Sequence, residues 1–191
     1  MIILLADAKT NLIIGFVTTL VVIVIFMIVR FRRSVKFRLK KQLAPYNNEI
    51  RKIVIPDGIG GELEIEHLIA SDHGLLLIQT LSMEGNVFGA ENMQHWSLVM
   101  KNGKRYKFNN PLQHLSISRQ ALKLLAPNVP VFAQIVFSSD TQFPKGIPDE
   151  ISTLNTLSNN LSYITQGKSI PTQVQQKWDD IVSISHACTQ I

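Results

Sequence analysis

The alternation of apolar and polar positions is clearest between Leu63 and Leu81, LEIEHLIASDHGLLLIQTL. Leu63, Ile65, His67 and Ile69 alternate with Glu64, Glu66, Leu68 and Ala70, the period-2 pattern of a strand. Asp72-His73-Gly74 is a cluster of turn formers, and Leu75 to Thr80 is an almost unbroken apolar run, as expected of a strand covered on both faces. Together they predict a hairpin. Glu66 is its costliest charge, because a carboxylate in so apolar a strand needs a partner. The same reading predicts a strand over Ile50–Ile55, ended by Pro56-Asp57-Gly58, and a glycine-rich connection over Ser82–Ala90. Trp96–Met100 and Arg105–Phe108 flank Asn102-Gly103, a pair suited to the positive φ angles of a type I′ turn. Pro111–Leu125 predicts a helix with Ile117, Ala121, Leu124 and Leu125 on one stripe, capped by Asn110 and closed by Pro127. Val131–Phe137 reads as a buried strand and Ile151–Leu154 as a short one. Two helices follow, the first bearing Leu157, Leu161 and Ile164. The second, Pro171–His186, packs through Val174, Trp178, Ile181 and Val182. This order predicts an α/β fold, a mixed central sheet flanked by helices.

Upstream the pattern changes. Leu12–Val29 is an uncharged apolar run of 18 residues, and at ~1.5 Å per residue a helix of that length spans about 27 Å, close to a hydrocarbon core. A cleaved signal peptide fits less well, since the preceding segment is not basic and no small-x-small site follows. The expectation is one N-terminal transmembrane helix. Arg30, Arg32 and Arg33 directly after it place the C-terminal side in the cytoplasm by the positive-inside rule. The domain plan is a short extracytoplasmic segment (1–11), the transmembrane helix (12–29), a basic juxtamembrane helix or linker (30–44) and an α/β domain (45–191). Within the linker, Val35, Leu39 and Leu43 form one helical stripe before Pro45 breaks it. This plan makes the protein a single-pass inner-membrane protein whose residues 12–41 contact membrane lipid.

The formal charge of +5 would suggest nucleic acid, but its distribution changes that picture. Eight of the 19 basic residues and one of the 14 acids lie at or before Lys41, leaving eleven against thirteen, about −2, for the rest. The domain lacks the broad positive field of a typical nucleic-acid binder, so any such partner is expected to bind weakly. Lys101, Lys104, Arg105 and Lys107, clustered at the Asn102-Gly103 turn, are the candidate phosphate contacts. Cys188 is the single cysteine, which excludes an internal disulfide. Gly58–Gly61 precedes a strand rather than a helix and cannot form a helix-N-terminus phosphate cradle. His73, His95, His114 and His186 have no metal-ligand spacing, and no serine sits in a Gly-x-Ser-x-Gly context.

Ile65-Glu66-His67, the apolar strand ending Ile78-Gln79-Thr80-Leu81, then Gly85, Gly89, Trp96 and Asn110-Pro111-Leu112-Gln113 resemble the nuclease-related domain (NERD) family over roughly Ile50–Phe137. The resemblance implies a restriction-endonuclease-like fold of the PD-(D/E)xK type. It also implies a divalent metal held by an acid on the first strand, with an acid and a lysine two apart on the second. Two-residue spacing places both side chains on one face of a strand. The first acid maps onto Glu66, but the second maps onto neutral Gln79 and the lysine onto Leu81. The family's helical glutamate has no equivalent in Val35–Leu43, and Pro56-Asp57 lies among loop formers. Glu62, Glu64 and Glu84 are in range, yet sequence reasoning finds no arrangement that restores an acid pair on one face with a lysine. His67 matches the family's histidine and reads as a core histidine hydrogen-bonded to backbone. Trp96, Asn110, Pro111 and Gln113 are the other matched positions, with Gln113 suited equally to facing the site or capping a loop.

The expectation is a membrane-anchored, catalytically degenerate nuclease relative, a pseudoenzyme serving as an interaction or nucleic-acid-associated module. No cofactor is expected; Mg²⁺ belongs only to the alternative, an active nuclease with a rearranged site. A purely structural anchored protein is the third reading.

Overall fold

The computed structural model describes residues 15–29, 35–44, 48–164 and 169–188. The hairpin predicted at the centre is present. Strands β2 (Glu62–Ser71) and β3 (Gly74–Leu81) pair antiparallel across a two-residue turn at Asp72-His73. Gly74 is needed there: its φ is +143°, and a Cβ would meet the Pro130 carbonyl oxygen at 2.2 Å. Strand β1 (Glu49–Pro56) pairs antiparallel with β2. On its other side β3 pairs in parallel with β7 (Val131–Phe137), which pairs in parallel with β9 (Ile151–Thr153). The first sheet therefore has the order β1-β2-β3-β7-β9.

A second sheet takes three strands from the connection between β3 and β7 and a fourth from the segment after β7. Its strands are β4 (Gly85–Phe88), β5 (His95–Val99), β6 (Arg105–Asn109) and β8 (Thr141–Gln142), in the order β6-β5-β4-β8. The expected single central sheet is thus two mixed sheets. The segment read as a glycine-rich connection contains β4, whose four residues are too short to show a period. Helix α3 (Pro111–Leu125) follows β6, with Asn110 capping it as expected. Its inward face differs from the predicted stripe. Leu112, Leu115, Ser118, Ala121 and Leu122 are buried, whereas Ile117 is 50% and Leu124 67% exposed. Ser118 is the reason, since a buried serine interrupts the apolar stripe from which the face was read.

Two apolar clusters hold the sheets. One joins Leu75 and Leu77 of β3 to Ile135 and Phe137 of β7, to α3, and to Trp96 and Leu98 of β5. Val174, Trp178 and Ile181 of the last helix, α5 (Thr172–Cys188), complete it as predicted. The other gathers Leu76 and Ile78 with Val136, Leu157 and Leu161 of α4 (Leu157–Ile164), and Val35, Leu39 and Leu43 of α2 (Val35–Leu43). Strand β3 is accordingly buried on both faces, as its apolar run requires. The α2 stripe is fully internal.

Residues 15–29 form the first helix, α1, and its large apolar residues are exposed, from Val29 at 44% to Phe16 at 70%. Among the described residues no helix is long and apolar enough to cross a membrane. At ~1.5 Å per residue α1 itself reaches only about 22 Å, so the transmembrane helix expected over Leu12–Val29 is not supported by the described helix. Residues 1–14, with the first three positions of that run, lie outside the described residues, as do Arg30, Arg32, Arg33 and Pro45.

Candidate functional site

The β2–β3 ladder pairs His67 with Ile78, and one further step places Glu66 beside Gln79. The Glu66 carboxylate accepts the Thr80 backbone N–H at 2.7 Å through Oε2 and the Thr80 hydroxyl at 2.6 Å through Oε1. These donors offset part of the cost of holding the charge in an apolar strand. Glu66 and Gln79 open into one concave pocket of about 410 Å³, which Lys52, Glu64, Thr80 and His114 also line. Leu81 does not line it and packs instead against the larger apolar cluster.

Lys52 enters from β1 in an unusual conformation. Its φ is +52°, the only positive φ among the described non-glycine residues. The β1–β2 ladder passes from Arg51–His67 to Ile53–Ile65, leaving Lys52 unpaired across from Glu66. A left-handed lysine costs about 1–2 kcal/mol, and such outliers cluster where the surroundings shape a site. Sequence reasoning missed Lys52, because nothing in IRKIVI announces either the register or the turned backbone. It named Glu64 as an acid in range but found no arrangement that joins it, beside a lysine, to Glu66. Glu64, two residues away, shares its face by parity and lines the same pocket. An acid pair on one face with a lysine nearby is therefore present, contrary to the sequence-based expectation, although the lysine comes from a neighbouring strand.

The metal implied by the family resemblance can be tested against these groups. Among the described residues no three of His, Cys, Asp and Glu are grouped to hold an ion. The second acid's position is a neutral amide, Gln79, and both Glu66 oxygens already accept hydrogen bonds from Thr80. The family's metal arrangement does not fit this set.

His67 is buried (6% exposed), but its partner is a carboxylate rather than the expected backbone group. Its Nδ1 donates to Glu49 Oε1 at 2.8 Å, and Arg51 grips the same carboxylate with Nε at 2.8 Å and Nη2 at 2.6 Å. Burial alone would raise the Glu49 carboxyl; the hydrogen bonds from Arg51 and His67 hold it below its ordinary value. Glu49 in turn holds the Arg51 guanidinium above its usual range through the same hydrogen bond.

The remaining matched residues build a scaffold beside the pocket. The Asn110 side chain accepts the Leu112 N–H at 3.0 Å and donates to the Glu91 and Met93 carbonyls at 3.0 and 2.8 Å. Trp96 Nε1 donates to the Ala90 carbonyl at 3.0 Å. The indole lies so close to Gly89 that a Cβ there would meet Trp96 Cδ2 at 2.1 Å. Pro111 is buried at the first turn of α3, where its missing N–H is harmless. Gln113 is exposed and outside the pocket lining; the adjacent His114 takes that place. Asp57 organises its own loop, accepting the Ile59 and Gly61 N–H groups at 2.9 and 2.8 Å. Lys101, Lys104, Arg105 and Lys107 are all exposed around the β5–β6 turn, away from the pocket lining.

A family model for the nuclease-related domain matches residues 30–138, more than half of the chain. Neither the curated proteins nor the solved structures gave a match.

Proposed function

Because the chain belongs to the nuclease-related domain family, whose restriction-endonuclease-like fold is consistent with the mixed sheet found here, we propose that it is a membrane-anchored relative that no longer cleaves nucleic acid and serves as a binding module. One observation carries the loss of cleavage: Glu66 is held by Thr80 across from Gln79, with Leu81 packed against the apolar core. A hard cation at this position loses the second charge of the family pair. The family's lysine position is the apolar Leu81, so an attacking water lacks that assistant, and the lysine in the pocket is Lys52 of the neighbouring strand. Each loss alone amounts to orders of magnitude in rate, at about 1.4 kcal/mol of barrier per factor of ten.

The anchoring part of this reading draws on the exposed apolar side chains of α1 (Phe16, Val22 and Met27 among them), although the described helix alone is too short to span a membrane. Continued through the apolar run from Leu12 and followed by Arg30, Arg32 and Arg33, it would place the domain on the cytoplasmic side of the inner membrane.

A second reading, an active nuclease with a rearranged site, is favoured by one specific observation, the left-handed Lys52 in a pocket shared with Glu64 and Glu66. The two are separated by assaying the full chain in neutral detergent on DNA and RNA with magnesium or manganese, beside Glu66→Ala and Lys52→Ala. The expected outcome is no cleavage by any of the three. Metal-dependent cleavage by the native chain, abolished in both variants, would establish the rearranged nuclease and overturn the non-cleaving reading.

A further inference from the structure

The outer face of the second sheet has properties that the pocket does not use. Strand alternation sends Val87, Trp96 and Leu98 into the core. The opposite residues, Phe88, His95, Ser97, Arg105 and Lys107, point outward, and none of them is buried. The ladder aligns them, with Phe88 opposite Ser97 and Ser97 opposite Lys107, while Val99 stands opposite Arg105. No acid occurs anywhere in β4, β5, β6, β8 or the turn at Lys101–Lys104. Glu84, Glu91 and Asp140 lie in the flanking connections. Among the described residues none of Lys101, Lys104, Arg105 and Lys107 makes an ion pair. On a domain that is acidic on balance, this is a local cationic strip whose charges the protein itself leaves unneutralised.

We infer that this face, from Phe88 across to Lys107 and out to the β5–β6 turn, is a binding surface for the phosphate backbone of a single-stranded nucleic acid. Arg105 and Lys107 are two residues apart on one strand, about 6.8 Å along it and on the same face, so that both can reach phosphates of one bound strand. Phe88 and His95 lie on the same face as these cations, so that rings stand beside them, while Tyr106, opposite Leu98, points to the other side of the sheet and is 49% exposed at its edge. Aromatic platforms beside cations favour single strands, whose bases are free to stack. A lipid surface would use the cations equally, but it gains nothing from the outward Ser97, Asn109 and Gln142, which offer hydrogen bonds to bases and sugars rather than apolar anchors.

The inference does not depend on whether the pocket cleaves, and its test is run in EDTA so that the two questions stay apart. The probe is a fluorescent 20-nucleotide oligothymidylate, titrated by anisotropy with the full chain in neutral detergent over a salt series. The native chain should bind at low salt and weaken steeply as salt rises. Lys104→Gln combined with Arg105→Gln and Lys107→Gln should reduce affinity at least tenfold. It should also lower the slope of log affinity against log salt by about 2, since each neutralised phosphate of a single strand contributes ~0.7. A companion variant, Lys36→Gln with Arg38→Gln, Lys40→Gln and Lys41→Gln, should leave that difference in place. Unchanged oligonucleotide affinity in the triple variant overturns the inference, as does a native chain that fails to bind at low salt. Loss of binding to anionic phospholipid vesicles with oligonucleotide binding intact would overturn it in favour of a lipid partner. Tryptophan fluorescence, from Trp96 beneath the face and Trp178 of α5, both buried, reports that the variant is folded.

Discussion

A carboxylate in a sheet is tolerable only if the fold turns donors toward it, and two of this chain's acids receive different ones. Glu66 receives a neutral backbone N–H and hydroxyl from Thr80, whereas Glu49 receives the charged Arg51 and the buried His67. The first was legible in part, because a lone acid among Ile65, Ile69 and Leu75–Ile78 must have a partner. Neither Thr80 nor Arg51 could be named from sequence, since cross-strand register decides which residues meet. The Glu49 pairing carries a pH signature. Its carboxyl is held below the ordinary 4.5 in the folded protein. The stability it contributes is therefore complete above about 4.5 and is lost as pH falls through the lower folded value. Glu49→Gln should cost about 1–3 kcal/mol at pH 7, the range for hydrogen bonds to a charged group, and flatten the acid limb. Denaturant titrations at pH 7 and pH 3 check this: the gap between native and variant must narrow in acid. Parallel losses in both proteins would show that Glu49 is not a source of that limb.

Among the elements, length decided what could be read. Val131–Phe137 and the β2–β3 hairpin carry enough residues for their period to stand out, and both are present. Strands β4 and β8, with four and two residues, carry no period at all. They exist because β5 offers β4 an edge and β4 offers one to β8, so that of the second sheet only the β5–β6 hairpin was foreseen. Helix α3 was found with its inward face only partly right: Ala121 and Leu125 pack inward, but Ile117 and Leu124 are exposed and Ser118 is buried in their place. Helix α2 shows the opposite case. Its stripe of three apolar residues was clear amid four lysines and arginines, and Leu39 at its centre is fully buried against the second cluster. Leu39→Ala should therefore destabilise the protein by about 2–5 kcal/mol, as for other buried leucines. Leu124→Ala on the exposed side of α3 should change stability by less than about 0.5 kcal/mol. Paired chemical denaturation of the two variants tests both assignments, and equal effects would contradict them.

At the scale of the whole molecule, an exposed apolar helix stands next to a closed two-sheet body. If α1 sits in lipid, the full chain should sediment with membranes, remain there at high salt and be released only by detergent. Release by salt alone would mean attachment through the basic run instead. The body raises a separate matter at its own boundary. Strand β1 is an edge of the first sheet, and a long straight edge is a template on which another chain can add a strand and begin a fibre. Here the straight run is broken at its middle by the left-handed Lys52 and ended by Pro56, which has no N–H to offer. Arg51 and Lys52 also put two positive charges side by side where a second copy would have to bring its own. The turn that aims a lysine into the pocket thus makes β1 a poor template for polymerisation.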